Sequence, residues 1–181
     1  MRGRLCLIGV GLLVLSGCAE SRDVPAAPLP VPPVVDLPAS SAGGACRLLD
    51  YPVVEEVTGT RFDVSAASLH STTQTCLLQS ETAERPDLLL SATKTSASVE
   101  VFKEQMIPSG GRSVSGLGKT AYRITRAPAR DHGAAAEVGW LTDGRLLTLR
   151  YTFAADGDRA AADAFTEKII ALAKRLDPAA L

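Results

Sequence analysis

The sequence predicts an α+β fold: an antiparallel sheet of about five to six strands packed against two to three helices, one of them a long C-terminal helix. Three observations carry this expectation. Asp143-Gly144 is the preferred two-residue type I′ hairpin turn and lies between two stretches rich in apolar and β-favouring residues. Thr73 to Ser80 and Asp87 to Thr95 alternate apolar and polar side chains with a period of two. Ala162, Phe165, Ile169, Leu172 and Leu176 recur at helical spacing, with Asp158 placed to cap their helix and Pro178 to stop it.

The remaining elements follow in chain order. Asp50 can cap a short helix in which Pro52 is tolerated in the first turn, Val53, Val54 and Val57 share one side, and Gly59 ends it. Cys76 and Leu78 lie on one face of the first strand, and Leu88, Leu90 and Ala92 repeat the pattern in an antiparallel second. Ser96 can cap a helix with Val99, Phe102 and Met106 on one face, ended by Pro108, Gly110 and Gly111. Strands return at Val114 and from Lys119 to Thr125. The Asp143-Gly144 turn then sets a register in which Trp140 faces Leu147, Val138 faces Leu149 and Ala136 faces Tyr151. The same register places Glu137 opposite Arg150 on the other surface, a cross-strand ion pair worth a few tenths of a kcal/mol. In the last helix Lys174 and Arg175 complement the negative C-terminal end of the dipole.

Upstream of these elements the chain reads as an export and anchoring apparatus. Arg2 and Arg4 precede an apolar run from Leu5 to Leu15, long enough for a signal segment and shorter than the ~20 residues a membrane-spanning helix needs. Leu15-Ser16-Gly17-Cys18 has the form of a bacterial lipobox, in which small residues admit the peptidase and the Cys18 thiol accepts a diacylglyceryl group. The organisation expected is a signal peptide over residues 1–17, a lipidated Cys18 with a Pro-rich stalk over residues 18–45, and a single α+β domain over residues 46–181. Pro25, Pro28, Pro30, Pro32, Pro33 and Pro38 block helix and ladder formation and keep the stalk extended. The expected location is the extracytoplasmic side of the cell membrane, held by lipid.

A chain of 181 residues with 46% hydrophobic and 22% charged residues has apolar material for one domain of ordinary size. The formal charge is -1; loss of Arg2 and Arg4 with the signal takes the 19 basic residues to 17 against 20 acidic ones. A nucleic-acid partner is therefore not expected, since such binders concentrate Lys and Arg against phosphates. Of the four cysteines, Cys6 belongs to the signal and Cys18 to the lipid. That leaves Cys46 and Cys76, which would pair in an oxidising compartment; free thiols or a metal site are the alternatives. A metal is poorly served, because only His70 and His132 could supplement the thiols and neither has a ligand-like spacing from them.

The sequence offers chemistry at few places. Gly118-Lys119-Thr120 has the ending of a phosphate-binding loop, but Ser113 stands where that motif needs its first glycine, and a strand rather than a helix should follow. Gly111-Arg112-Ser113-Val114-Ser115 lacks the second glycine of a nucleophile elbow. His132, beside Arg130 and Asp131, reads as a residue of a solvated loop, as does His70 among Ser and Thr. No catalytic residue, metal or cofactor is expected, and the chain is read as a non-enzyme. Tyr122, Trp140, Tyr151 and Phe153 could line a pocket for an apolar ligand between sheet and helices; the alternative is that they are core. The segments Thr60–Thr72 and Arg126–Ala135 are polar enough to be exposed loops and are the candidate recognition surfaces.

With these features the chain resembles a family of small actinobacterial lipoproteins of unknown function, known chiefly from mycobacteria, nocardiae and their relatives. The resemblance rests on the lipobox, the Pro-rich stalk, Cys46-Arg47-Leu48-Leu49 opening a helix that ends at Gly59, the second cysteine Cys76, the run Gly116-Leu117-Gly118-Lys119-Thr120-Ala121-Tyr122, and the closing helix. It covers nearly the whole mature domain and brings no catalytic residues. It also implies an architecture similar to extracytoplasmic sensor domains of mycobacterial receptor kinases. The expected function is a non-catalytic binding or accessory module of the cell envelope acting through protein partners. The alternative is a carrier or sensor of a lipid or other small apolar ligand.

Overall fold

A computed structural model describes residues 37–181. The signal segment, Cys18 and most of the expected stalk lie outside the described residues. The fold is α+β, with one antiparallel sheet of seven strands in the order β1-β2-β3-β7-β6-β5-β4. In the chain these are β1 Val64–His70, β2 Thr73–Ser80, β3 Ala83–Lys94, β4 Arg112–Val114, β5 Thr120–Arg126, β6 Ala135–Thr142 and β7 Arg145–Thr152. The helices are α1 Tyr51–Thr58, a single turn α2 Val99–Val101 that runs into a π-helical turn Phe102–Met106, and α3 Arg159–Arg175. Two meanders, β1-β2-β3 and β4-β5-β6-β7, are thus joined at the centre by β3 and β7.

The two faces of the sheet follow from register. Cys76 pairs with Leu90, Leu90 with Leu149 and Leu149 with Val138, so four buried side chains stand in one row across the middle of the sheet. Rows on either side add Leu78, Leu88 and Tyr151, and Ala92, Leu147 and Trp140. This face is covered by α1, α3 and the 3-10 turns ahead of α1, and together they form the main core. Ile169, Leu172 and Ala173 bury the stripe of α3 that the helical spacing marks out. The register around Asp143-Gly144 is the expected one at Trp140↔Leu147, Val138↔Leu149 and Ala136↔Tyr151.

Helix boundaries have local causes. Asp158 accepts a hydrogen bond from the Ala161 amide at 2.8 Å, closing the first turn of α3. Asp50 occupies the N-cap position of α1 but its side chain makes no capping bond, and Gly59 ends the helix in the left-handed region at φ 77°. The α2 turn is capped by Ser98, whose hydroxyl accepts from the Val101 amide at 3.3 Å, two residues later than the expected Ser96. Thr95 explains the shift: its amide is bonded to the Gly144 carbonyl and its hydroxyl accepts from the Ala97 amide, so residues 95–97 are held out of the helix.

Two expectations are corrected. The sheet has seven strands rather than five to six, because Val64–His70, expected within an exposed loop over Thr60–Thr72, is strand β1. And the boundary between stalk and domain does not fall at Cys46. Ala39–Ala42 and Gly44–Leu48 are 3-10 turns, with Ala39 and Ala45 fully buried against the sheet. Their small side chains read as linker composition, yet they are what allows this backbone to lie close to β1 and β2: Gly44 approaches Ala67, and the Ser65 hydroxyl donates to the Ala39 carbonyl.

Cys46 and Cys76 form a disulfide that ties the turn before α1 to β2 across 30 residues of sequence. On the loop-entropy account such a bridge stabilises by about 3–4 kcal/mol. Reduction, or a paired Cys46→Ala and Cys76→Ala substitution, is expected to lower the unfolding free energy in urea by about that amount. An unchanged midpoint in urea would show that the bridge contributes no stability.

Candidate functional site

The four aromatic residues considered as a pocket lining do not meet around a common space. Trp140 is 1% exposed and lies in the main core over the β6–β7 pair. Tyr151 belongs to an aromatic cluster at one end of that core, with ring centroids 4.3 Å from Phe165, 4.9 Å from Phe153 and 6.4 Å from Phe62. Its hydroxyl is satisfied by Thr60 at 2.9 Å, and burial pushes its pKa up. Tyr122 faces the other side of the sheet altogether, packed with Phe102 and Leu141 in a second, smaller core under α2. Trp140, Tyr151 and Phe153 are therefore core of one face and Tyr122 core of the other.

Around Tyr122 the second face carries a polar network that the sequence hinted at only in part. Glu137, just 6% exposed, accepts from the Tyr122 hydroxyl at 2.9 Å and from Arg126 through Nε at 2.8 Å and Nη2 at 2.9 Å. Arg150 stands opposite Glu137 in register, as expected, but the close ion pair is made with Arg126 on β5. The reason is geometric. A guanidinium on the neighbouring strand can present two parallel N–H groups to the carboxylate, which Arg150 does not do here. Gly139 makes the network possible, because a Cβ there would lie 2.3 Å from the Tyr122 ring, which crosses the space a side chain would fill. Burial raises the Glu137 pKa, but the Arg126 hydrogen bonds and charge outweigh it and leave the carboxyl below its ordinary value. Burial, then the Glu137 charge, push Tyr122 far above the ordinary phenol range.

The other concentration of polar side chains is a groove of about 350 Å³ on the main face, between the first turns of α3 and the β4–β5 edge. Arg112, Arg123 and Thr125 reach it from the strands, and Arg159, Asp163 and Thr166 from the helix. Arg123 is engaged by Glu167 at 2.7 Å, and Thr125 is hydrogen-bonded to Asp163. Arg112 and Arg159 make no ion pair among the described residues, so two guanidinium groups frame a groove that also holds the Asp163 carboxylate. An anion entering there would gain charge-assisted hydrogen bonds in a fork geometry suited to carboxylate. Sequence reading passed over the site because its residues are distant in the chain and come from three elements.

The remaining candidates are placed as follows. Gly118 is a left-handed turn residue at φ 56° ahead of β5, and Lys119 pairs with Asp143, so this run joins elements of the sheet. His132 lies in the loop between β5 and β6, bonded through Nδ1 to the Gly133 carbonyl at 2.7 Å, and His70 sits exposed at the β1–β2 turn. Among the described residues no group of three or more His, Cys, Asp or Glu side chains is arranged to hold a metal ion. Comparison with family models, curated proteins and solved structures finds no match for the chain.

Two outcomes follow from the Glu137 network. Its carboxylate is favoured in the folded state, so its contribution is complete above the unfolded carboxyl value of about 4.3 and is lost as pH falls through the lower folded value. Urea unfolding of Glu137→Gln across that acid window should show a shallower fall in stability than the parent; identical slopes would remove Glu137 from the acid response. Gly139→Ala should cost about 1–3 kcal/mol by displacing the Tyr122 ring, and full retention of stability would show that the ring moves without penalty.

Proposed function

We propose that the chain is an exported lipoprotein, anchored through Cys18 on the extracytoplasmic side of the cell membrane, whose α+β domain works as a non-catalytic binding module for a protein partner. The signal-like run and lipobox support the address. The Cys46–Cys76 bridge suits an oxidising compartment. The observation that carries the binding reading is the groove between α3 and the β4–β5 edge, where Arg112 and Arg159 make no ion pair among the described residues, in a chain of net negative charge. Such a groove fits a carboxylate presented by a partner protein, because a planar guanidinium recognises carboxylate in two parallel hydrogen bonds.

The alternative, a lipid or other apolar ligand held between sheet and helices, draws no support from the arrangement of side chains. The residues that would line its pocket are divided between the two faces of the sheet and are already packed against Phe102, Phe165 and their neighbours.

Two measurements test the proposal separately. Mass spectrometry of the mature N-terminus should find an acylated Cys18, and Cys18→Ser should move the protein from the membrane to the soluble fraction. An unmodified N-terminus would overturn the anchor. A photo-crosslinking residue at Asp163, which lines the groove from α3, should capture one discrete envelope protein in intact cells, and Arg112→Ala with Arg159→Ala should reduce that capture severalfold. Equal capture from Arg47, which is exposed elsewhere on the surface, would overturn the groove as the binding site.

A further inference from the structure

On the side opposite the arginine groove, the sheet ends in β1, whose outer edge has no ladder partner among the described residues. Among those residues Val64–His70 pairs with β2 alone, in unbroken register from Val64↔Gln79 to His70↔Thr73. Edge strands leave alternate N–H and C=O groups unpaired, and proteins ordinarily protect them with charge, proline, a bulge, brevity or a covering segment. From Val64 to Leu69 there is no charged residue, no proline and no bulge, and six of the seven strand residues are exposed. The three large hydrophobic side chains that stand exposed among the described residues lie on this strand or beside its start: Val64 at 40%, Leu69 at 70% and Leu37 at 62%. Leu37 shares a shallow depression with Phe62 and Asp63, immediately ahead of the strand.

We propose that β1 pairs antiparallel with β1 of a second copy of this chain, joining the two sheets into one. The occupant is argued from what the edge offers. Strand addition takes its affinity from main-chain hydrogen bonds and its specificity from pockets for alternate side chains. Ser65, Ala66, Ala67 and Ser68 provide no such pockets, so the strand has little with which to select a foreign peptide. It is, however, complementary to itself. A two-fold axis perpendicular to the sheet keeps each face on its own side, so residues of one face must oppose residues of the same face. That restricts the central registers to those with Ala66 opposite Ala66 or Ala67 opposite Ala67. In the first, Ser65 meets Ala67 and Val64 meets Ser68; in the second, Ala66 meets Ser68 and Ser65 meets Leu69. Neither opposes like charges or brings two bulky side chains together at the centre, and both cover apolar surface at Val64 and Leu69.

The test uses the full chain, purified in detergent, with protein mass measured by light scattering after subtraction of the detergent. At concentrations on the order of 100 μM the parent should have the mass of two chains. Ala66 is exposed and stands across from Leu77, so a charged side chain there can extend into solvent without disturbing the fold. Ala66→Lys and Ala66→Glu should each halve the mass, because both registers bring the two substituted positions directly or diagonally opposite. An equimolar mixture of the two variants should recover the two-chain mass, which a misfolded variant could not do. A parent that is monomeric throughout, a charged variant that remains paired, or a mixture that fails to recover would each overturn the proposal. The result is independent of Cys18 acylation and of the arginine groove.

Discussion

Everything in this fold depends on the antiparallel pairing of β3 with β7. Among the described residues their pairing is the one ladder between a three-stranded and a four-stranded meander, and its register decides whether the apolar rows of the two halves coincide. With Leu88 opposite Tyr151, Leu90 opposite Leu149 and Ala92 opposite Leu147, the rows become continuous and one face of the sheet is apolar through its centre. A slip of one residue would bring Leu89 and Arg150 into those rows, inverting one half relative to the other. Helices α1 and α3 can bury that face only because it is continuous. The salt link between Arg175 and Glu56 and the bond from Lys168 to the Thr58 carbonyl then join the two helices above it, at exposed or half-buried positions where ion pairs contribute little.

How much of this could be read from the sequence depended on how strongly each segment is buried on one side. The β6–β7 hairpin was legible in full, register included, because its turn residues dictate geometry and Val138, Trp140, Leu147 and Leu149 alternate strictly. Helix α3 was legible for the same reason with the helical period. Strand β1 was not: its two sides are nearly all exposed, so Ser, Ala and Leu follow no alternation, and hydrogen bonding to β2, its one ladder partner among the described residues, makes it a strand. The 3-10 turns over residues 39–48 were hidden by composition, since the Ser, Ala and Gly that make a linker also make a close-packed turn. Of the candidate site residues, Tyr122, Trp140 and Tyr151 are buried and Phe153 half-buried, and the sequence did not tell which face of the sheet Tyr122 would take, its β5 strand alternating Ala121 and Arg123 against Tyr122 and Ile124. The arginine groove could not be read at all, because nothing in the separation of Arg112, Arg123 and Arg159 announces that a sheet edge and a helix end will bring them together.

The disulfide is better placed for transmission than for packing alone. It joins Cys46, in the turn that follows the N-terminal approach to the domain, to Cys76 in the row of buried residues that crosses the sheet. If the chain is tethered upstream, as proposed, a pull on the tether reaches β2 through this covalent link before it can unfold α1. The buried turns at Ala39 and Ala45 and the bond from Ser65 to the Ala39 carbonyl place the same segment on the main face of β1, so that the entering chain packs over the last strand while leaving its outer ladder groups free among the described residues.

The two ends of the sheet are finished in opposite ways, and the difference has a physical meaning. At the β4 end the last strand has three residues, begins with Arg112 and leaves the outer side of β5 beyond Arg123 uncovered beside a charged groove. Charge and brevity there disfavour unselective strand pairing, and under the proposed function the same guanidinium groups would supply selectivity for an anionic partner. At the β1 end the strand is longer, carries no charged residue from Val64 to Leu69 and exposes those two apolar side chains near its ends, so no like charge within it repels a second strand and little but backbone complementarity selects one. An edge of that kind left unpaired would be an aggregation hazard, and closing it against a symmetry-related copy, as proposed, would remove the hazard by consuming both edges at once. The charged end would then remain the one part of the sheet's perimeter able to discriminate between partners.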